Sequence, residues 1–210
     1  MMRRDVRSVL LAACAMLTLG GCLFRNAEGP RFYRPASAAL EEAGDAAADA
    51  TPTAGAPVRL GSIRSAPFLR ERIVWRASPV EYGLYEQRRW FELPSRYVRR
   101  ALVATLQTTP GVALGDEPSG ARLDVEILAF DEVLSPTHEA HVALAATLRV
   151  GAEKRLDRTF SSRVPIATTD GSATAESMGK ALDEAVKRVA TATAAALAPP
   201  KAPAKRTRGK

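Results

Sequence analysis

The side chains best suited to chemistry in this chain are few. Two histidines, His138 and His141, stand three residues apart, and two carboxylates, Asp131 and Glu132, are adjacent. A histidine pair could hold a metal with thiolate or carboxylate help, and a carboxylate pair could share acid–base work. On a strand, however, residues three apart face opposite sides, so His138 and His141 do not converge on one ion. They read as solvated or edge histidines. Asp131-Glu132 has no partner set in the sequence and reads as a strand end or turn. No nucleophile elbow, phosphate loop or dinucleotide fingerprint occurs. No catalytic residue, metal site or cofactor is expected, and the chain is read as a non-enzyme.

Cys22 carries a different chemistry. Arg3, Arg4 and Arg7 precede an apolar run from Val9 to Leu19. About eleven residues are too few to span a membrane, which takes about 20, but suit the core of a secretory signal peptide. Leu19-Gly20-Gly21-Cys22 then resembles a bacterial lipobox, in which small residues precede the cut and the cysteine thiol is acylated. Cys14 leaves with the signal peptide. The mature chain is left with no free thiol and no disulfide, although its compartment is oxidising. Leu23 stands where an inner-membrane retention signal carries Asp, which favours an outer-membrane anchor facing the periplasm.

A third concentration of chemistry concerns recognition. Residues 75–100 hold six of the twelve aromatic residues, interleaved with Arg88, Arg89, Arg96, Arg99 and Arg100. Aromatic and arginine side chains anchor interfaces. The expected partner-binding residues are Tyr82, Tyr85, Arg89 and Trp90, with Trp75, in a β-rich run, more buried. The plainer reading puts Trp75 and Trp90 in the core and the arginines on the wet face of a helix.

The elements that would position these residues follow from periodicity. Arg59–Ser65, Arg72–Ala77 and Tyr82–Glu86 read as strands. From Pro94, apolar residues Val98, Ala101, Leu102, Thr105 and Leu106 make one helical stripe that Pro110-Gly111 ends. Leu123, Val125, Ile127 and Ala129 alternate with polar residues, as do Val142 to Val150 and Leu156 to Val164. Gly151-Ala152-Glu153 makes a hairpin turn between the last two. A long helix from Ser172 to Leu197 closes the body with Met178, Leu182, Ala185 and Val189 inward. The expected class is α+β, a single antiparallel-rich sheet with two main helices on one face. The expected divisions are a signal peptide (1–21), a flexible Ala/Pro-rich tether (22–57), one domain (58–198) and a disordered basic tail (199–210). Over its 36 residues from Cys22 to Val58, that tether would reach at most ~120–130 Å.

The net charge of +7 and pI near 9.8 suggest nucleic acid at first sight. Residues 1–7 carry a net +2 and residues 201–210 a net +5, so the body is balanced. The excess belongs to the targeting signal and the tail. Nucleic acid is excluded as a partner by compartment.

Three stretches together resemble the ABC-type transport auxiliary lipoprotein family, the PqiC-like proteins. Pro67-Phe68-Leu69-Arg70-Glu71-Arg72-Ile73-Val74-Trp75-Arg76 is similar to its proline–aromatic–leucine run into a strand. Arg89-Trp90-Phe91-Glu92-Leu93-Pro94 is similar to its tryptophan-centred lead-in to the first helix. The order of elements over residues 58–198 fits as well. The resemblance implies a non-catalytic accessory of a lipid-trafficking system. Its partners would be an MCE-domain periplasmic protein with an ABC permease and ATPase, and the membrane through the lipid anchor at Cys22. A homo-oligomer is left open. Without the family, the alternative is a cell-wall-binding or envelope-assembly lipoprotein that grips anionic polymer with its basic tail.

Overall fold

The alternating and helical patterns become, in chain order, β1 (Arg31–Tyr33), α1 (Ala38–Asp45), β2 (Gly55–Ser65), β3 (Arg72–Ser78), β4 (Glu81–Trp90), α2 (Pro94–Gln107), β5 (Gly111–Leu114), β6 (Ala121–Val133), β7 (Glu139–Val150), β8 (Glu153–Pro165) and α3 (Gly171–Leu197). This computed structural model describes residues 29–45, 54–115, 117 and 120–198, with backbone alone at 43–45. Residues from Arg31 onward belong to one compact unit; of the separate unit before them only Gly29 and Pro30 are described. Cys22, the signal segment and the tail from 199 to 210 lie outside the described residues.

The strands form one sheet, with β6 as its spine. β7 runs antiparallel along one flank of β6 from Arg122 to Val133, and β8 pairs antiparallel with β7. β2 and β3 therefore share the other flank in series, both parallel to β6: Val58 pairs with Ala121 and Val74 with Asp131. β4 returns antiparallel to β3, while β5 and β1 join β2 and β4 in parallel. The sheet is thus mixed rather than purely antiparallel. Hairpin turns make the antiparallel pairs, such as β7–β8, where Gly151 takes φ 59°. The parallel pairs need longer crossovers, which alternation inside a strand does not reveal.

All three helices pack on one face of the sheet and touch one another. α2 buries Tyr97, Val98, Ala101, Leu102 and Leu106, and α3 buries Met178, Leu182, Ala185, Val186 and Val189. They meet the inward sides of β6 and β7, including Leu123, Ile127, Leu144 and Leu148. Pro94 opens α2, where its missing N–H costs nothing. Asp170 caps α3 by accepting the N–H groups of Ser172 and Ala173 at 2.8 and 2.9 Å.

One expectation needs correction. Residues 31–45 fall within the segment that composition assigns to a flexible tether. They form β1 and α1 instead, and Leu40 is buried in the core. Three contacts hold them: β1 pairs with the end of β4, the Ala36 N–H donates to the Ala175 carbonyl at 3.1 Å, and Asp183 on α3 binds the first turn of α1. Low apolar content hid a segment whose order comes from partners far along the chain.

The far edge of the sheet is β8, thirteen residues long and paired on one side only. Arg155, Arg158 and Arg163 are exposed along it.

Candidate functional site

The sheet face opposite the helices carries the features that could bind something. The loop after β2 and the strands β3, β4 and β6 enclose a shallow groove of about 840 Å³. Its apolar lining includes Phe68, Tyr82, Leu84 and Leu128, each between 40% and 50% exposed. A cluster of such side chains in one place is a mark of a binding surface, unlike the same residues scattered singly. Phe68 and Tyr82 lie with ring centroids 6.2 Å apart. Arg70 and Arg72 stand at the margin. Each donates its Nε–H to a backbone carbonyl, of Pro67 and Tyr85, and neither has a carboxylate within ion-pair distance among the described residues. Arg89 is the cross-strand partner of Arg72, and like charges facing each other are unfavourable without an anion between them.

Beside the groove lies a buried polar cluster that joins four strands. Asp131 on β6 is 1% exposed. Its Oδ2 is 3.0 Å from Nε of Arg76 on β3, and its Oδ1 is 2.9 Å from Nδ1 of His141 on β7. His141 Nε2 is 3.0 Å from the Ser161 hydroxyl on β8. Hydroxyl, imidazole and carboxylate come in the order of a nucleophile–base–acid chain. The Arg76 guanidinium changes that reading. It contacts both the carboxylate and His141 Nδ1, the latter at 2.9 Å, and so neutralises the charge that would support an imidazolium. The cluster acts as a cross-sheet brace.

Glu132, next along β6, points to the helix side and is equally buried. His138 Nε2 lies 2.6 Å from its Oε1, the Thr174 hydroxyl of α3 donates to its Oε2 at 3.2 Å, and Arg88 Nη1 is 3.8 Å away. Burial, reinforced by the Glu132 charge, pushes the Tyr85 hydroxyl up to about 12. Asp131 and Glu132 are therefore neither a turn nor partnerless, and His141 is buried rather than solvated. The two histidines do serve opposite faces, one carboxylate each. Among the described residues no three His, Cys, Asp or Glu side chains gather into a metal site.

The four expected partner-binding residues do not share one surface. Tyr82 lies in the groove and Arg89 faces its basic margin. Tyr85 is half-buried beneath the Arg88 guanidinium, 4.5 Å above its ring. Trp90 is core: it is 1% exposed and meets Phe130 edge-on at 5.3 Å. Alternation along β4 sends Trp90 inward, and proximity in sequence concealed this. Trp75 is only half-buried, its ring lying over Gly83. Phe68, Leu84 and Leu128 were missed. Phe68 lies within the proline–aromatic–leucine stretch, and Leu128 beside the β6 bulge between Ile127 and Ala129 breaks the alternation. Both are signals the sequence did contain.

No helix among the described residues is long and apolar enough to cross a membrane. No curated protein sequence matches the chain. Among solved structures it resembles a Xanthomonas campestris protein of the family model DUF330, with a TM-score of 0.65 and 17% identity over 79% of this chain and 95% of that one. An uncharacterized protein gives a TM-score of 0.59 at 15% identity, covering 81% and 100%. The hypothetical protein CT253 of Chlamydia trachomatis gives 0.50 at 7%, covering 69% and 98%. At these identities the likeness is one of fold. The family model described as the ABC-type transport auxiliary lipoprotein component matches residues 39–190. With an α+β fold, a braced sheet and an open apolar groove beside it, the chain belongs to the ABC-type transport auxiliary lipoprotein family.

Proposed function

We propose that this protein is a non-catalytic docking subunit of an MCE-type ABC lipid transport system. Cys22 carries its acyl chains, and the folded unit faces the periplasm from the outer membrane. The observation that carries the docking role is the groove on the helix-free sheet face, where exposed Phe68, Tyr82, Leu84 and Leu128 lie beside arginines without carboxylate partners. Its chemistry fits an MCE-domain protein segment that presents apolar side chains with carboxylates next to them. Family membership supports the transport context.

The test is capture from detergent-solubilised envelopes, with the captured proteins identified by mass spectrometry. Wild-type protein is expected to retain an MCE-domain protein with its permease and ATPase. A Phe68→Ala, Tyr82→Ala double variant should keep its melting temperature and lose capture, since a surface anchor contributes ~2 kcal/mol or more of binding. A folded double variant with undiminished capture counts against the groove. Labelling with an alkyne fatty acid tests the anchor separately: Cys22→Ala should abolish the label, and equal labelling would refute acylation there.

A further inference from the structure

The folded unit begins beside a second exposed surface. Phe91 is 70% exposed, Phe32 56% and Leu93 38%. The Phe91 N–H donates to the Tyr33 carbonyl at 2.8 Å, and Phe32 is the register partner of Arg89, so the two phenyl rings flank the same three-residue strand β1. Leu93 sits at the head of α2, its carbonyl accepting the Arg96 N–H at 2.9 Å. Two exposed cations accompany them. Arg34 follows β1 and acts electrostatically on the Tyr97 hydroxyl of α2, and Arg96 is in the first turn of that helix. Neither has a carboxylate within ion-pair distance among the described residues, while Glu92 in the same stretch is engaged by both Nη groups of Arg100.

We infer that this surface is a membrane contact in its own right: Phe32, Phe91 and Leu93 enter the headgroup layer of an anionic lipid surface, and Arg34 and Arg96 meet its phosphates. The inference rests on the Cys22 reading for how the surface reaches the membrane. Because β1 is part of the fold, Arg31 is only nine residues beyond Cys22, at most ~30 Å of extended chain. A membrane anchored there is within reach of the place where the fold begins. Aromatic rings favour the headgroup level, and arginines near it are attracted to anionic lipid. The pattern of separate exposed rings with cations between them suits a soft layer that fills around each side chain.

The experiment uses the full chain with phosphatidylcholine vesicles, with and without phosphatidylglycerol, carrying brominated acyl chains as a depth-dependent quencher. Phe91→Trp places a reporter in the surface and Leu84→Trp places one in the groove, each read against the native Trp75 and Trp90 signal. The expected result is quenching at position 91 above the wild-type level, stronger with phosphatidylglycerol, and none above that level at position 84. Replacing Arg34 and Arg96 by Ala in the Phe91→Trp chain should raise the phosphatidylglycerol lipid concentration needed for half-quenching by about fivefold per residue. No quenching at 91 beyond the wild-type level overturns the inference. So does a position-91 emission shift that depends on protein concentration and not on lipid, which assigns the surface to a second copy. Mass spectrometry of the same preparation reports Cys22 independently. Quenching without acylation would remove the anchor reading and leave the surface, whereas acylation without quenching does the reverse.

Discussion

The Asp183 carboxylate on α3 accepts the backbone N–H of Ala38 at 2.8 Å, across 145 residues of sequence, and so caps the first turn of α1. The same carboxylate receives the Ser37 hydroxyl. An acceptor at a helix N-terminus satisfies N–H groups that have no partner within the helix. Here a distant helix supplies it, and α1 is thereby bound to the body.

Loss of this cap should loosen the N-terminal segment selectively. Asp183→Ala is expected to cost about 1–2 kcal/mol. Gly179→Ala should act on the same segment, because a Cβ at Gly179 would overlap the Ala36 carbonyl. Hydrogen exchange should show faster exchange over residues 31–45 in both variants, with β6 and β7 still protected. Uniform loss of protection throughout the sheet would show that the segment is not a separable unit.

The two tryptophans should differ in their contribution to stability. Trp90→Ala removes a fully buried ring and its contact with Phe130, at a cost of about 3–5 kcal/mol. Trp75→Ala, at a half-buried position, should cost clearly less. Chemical denaturation of the two variants gives the comparison, and a larger loss at Trp75 would reverse the assignment of core and margin.

The buried brace should respond non-additively. Arg76→Met leaves the Asp131 carboxylate buried without its guanidinium and should cost about 3–5 kcal/mol. Adding Asp131→Leu removes the stranded charge and should recover much of that loss. Ser161→Ala should leave transport unaffected, since the hydroxyl belongs to the brace. If transport fails while Ser161→Ala remains folded, the nucleophile–base–acid arrangement has a chemical role after all.

Alkaline pH should weaken the fold through Tyr85. Burial and then the Glu132 charge push its hydroxyl up to about 12, against 10.0 for an ordinary tyrosine. Below pH 10 the hydroxyl is protonated in both folded and unfolded chains, so its contribution is constant. Between about 10 and 12 the unfolded chain loses the proton first, and stability falls as pH rises. Tyr85→Phe should flatten that part of the stability–pH curve, and an unchanged slope would show that Tyr85 ionises freely in the folded protein.

Local pattern carried most of the elements. Alternation revealed β6, β7 and β8 because their two sides meet different surroundings: Leu123, Val125 and Ile127 face the helices while Arg122, Asp124 and Glu126 do not. Helical spacing similarly located α2 and α3. What stayed hidden depends on pairs distant in sequence. Asp131 looks ordinary until Arg76 and His141 are placed around it, and Arg31–Tyr33 looks like linker until β4 is beside it. The groove was half legible: Tyr82 stood out by type, but Leu84 and Leu128 acquire meaning only when β4 and β6 are brought to the same face. Trp90 shows the opposite error, since a residue type common in interfaces was spent on the core.

The arginines of β8 bear on life in a crowded leaflet. Anchored copies of a protein share a plane, where neighbours meet far more often than in a volume, and a thirteen-residue strand paired on one side would invite sheet-to-sheet growth. Arg155, Arg158 and Arg163 along that edge set like charges against each other whenever two such edges approach. Lateral crowding can therefore rise without the sheets joining into open-ended ribbons.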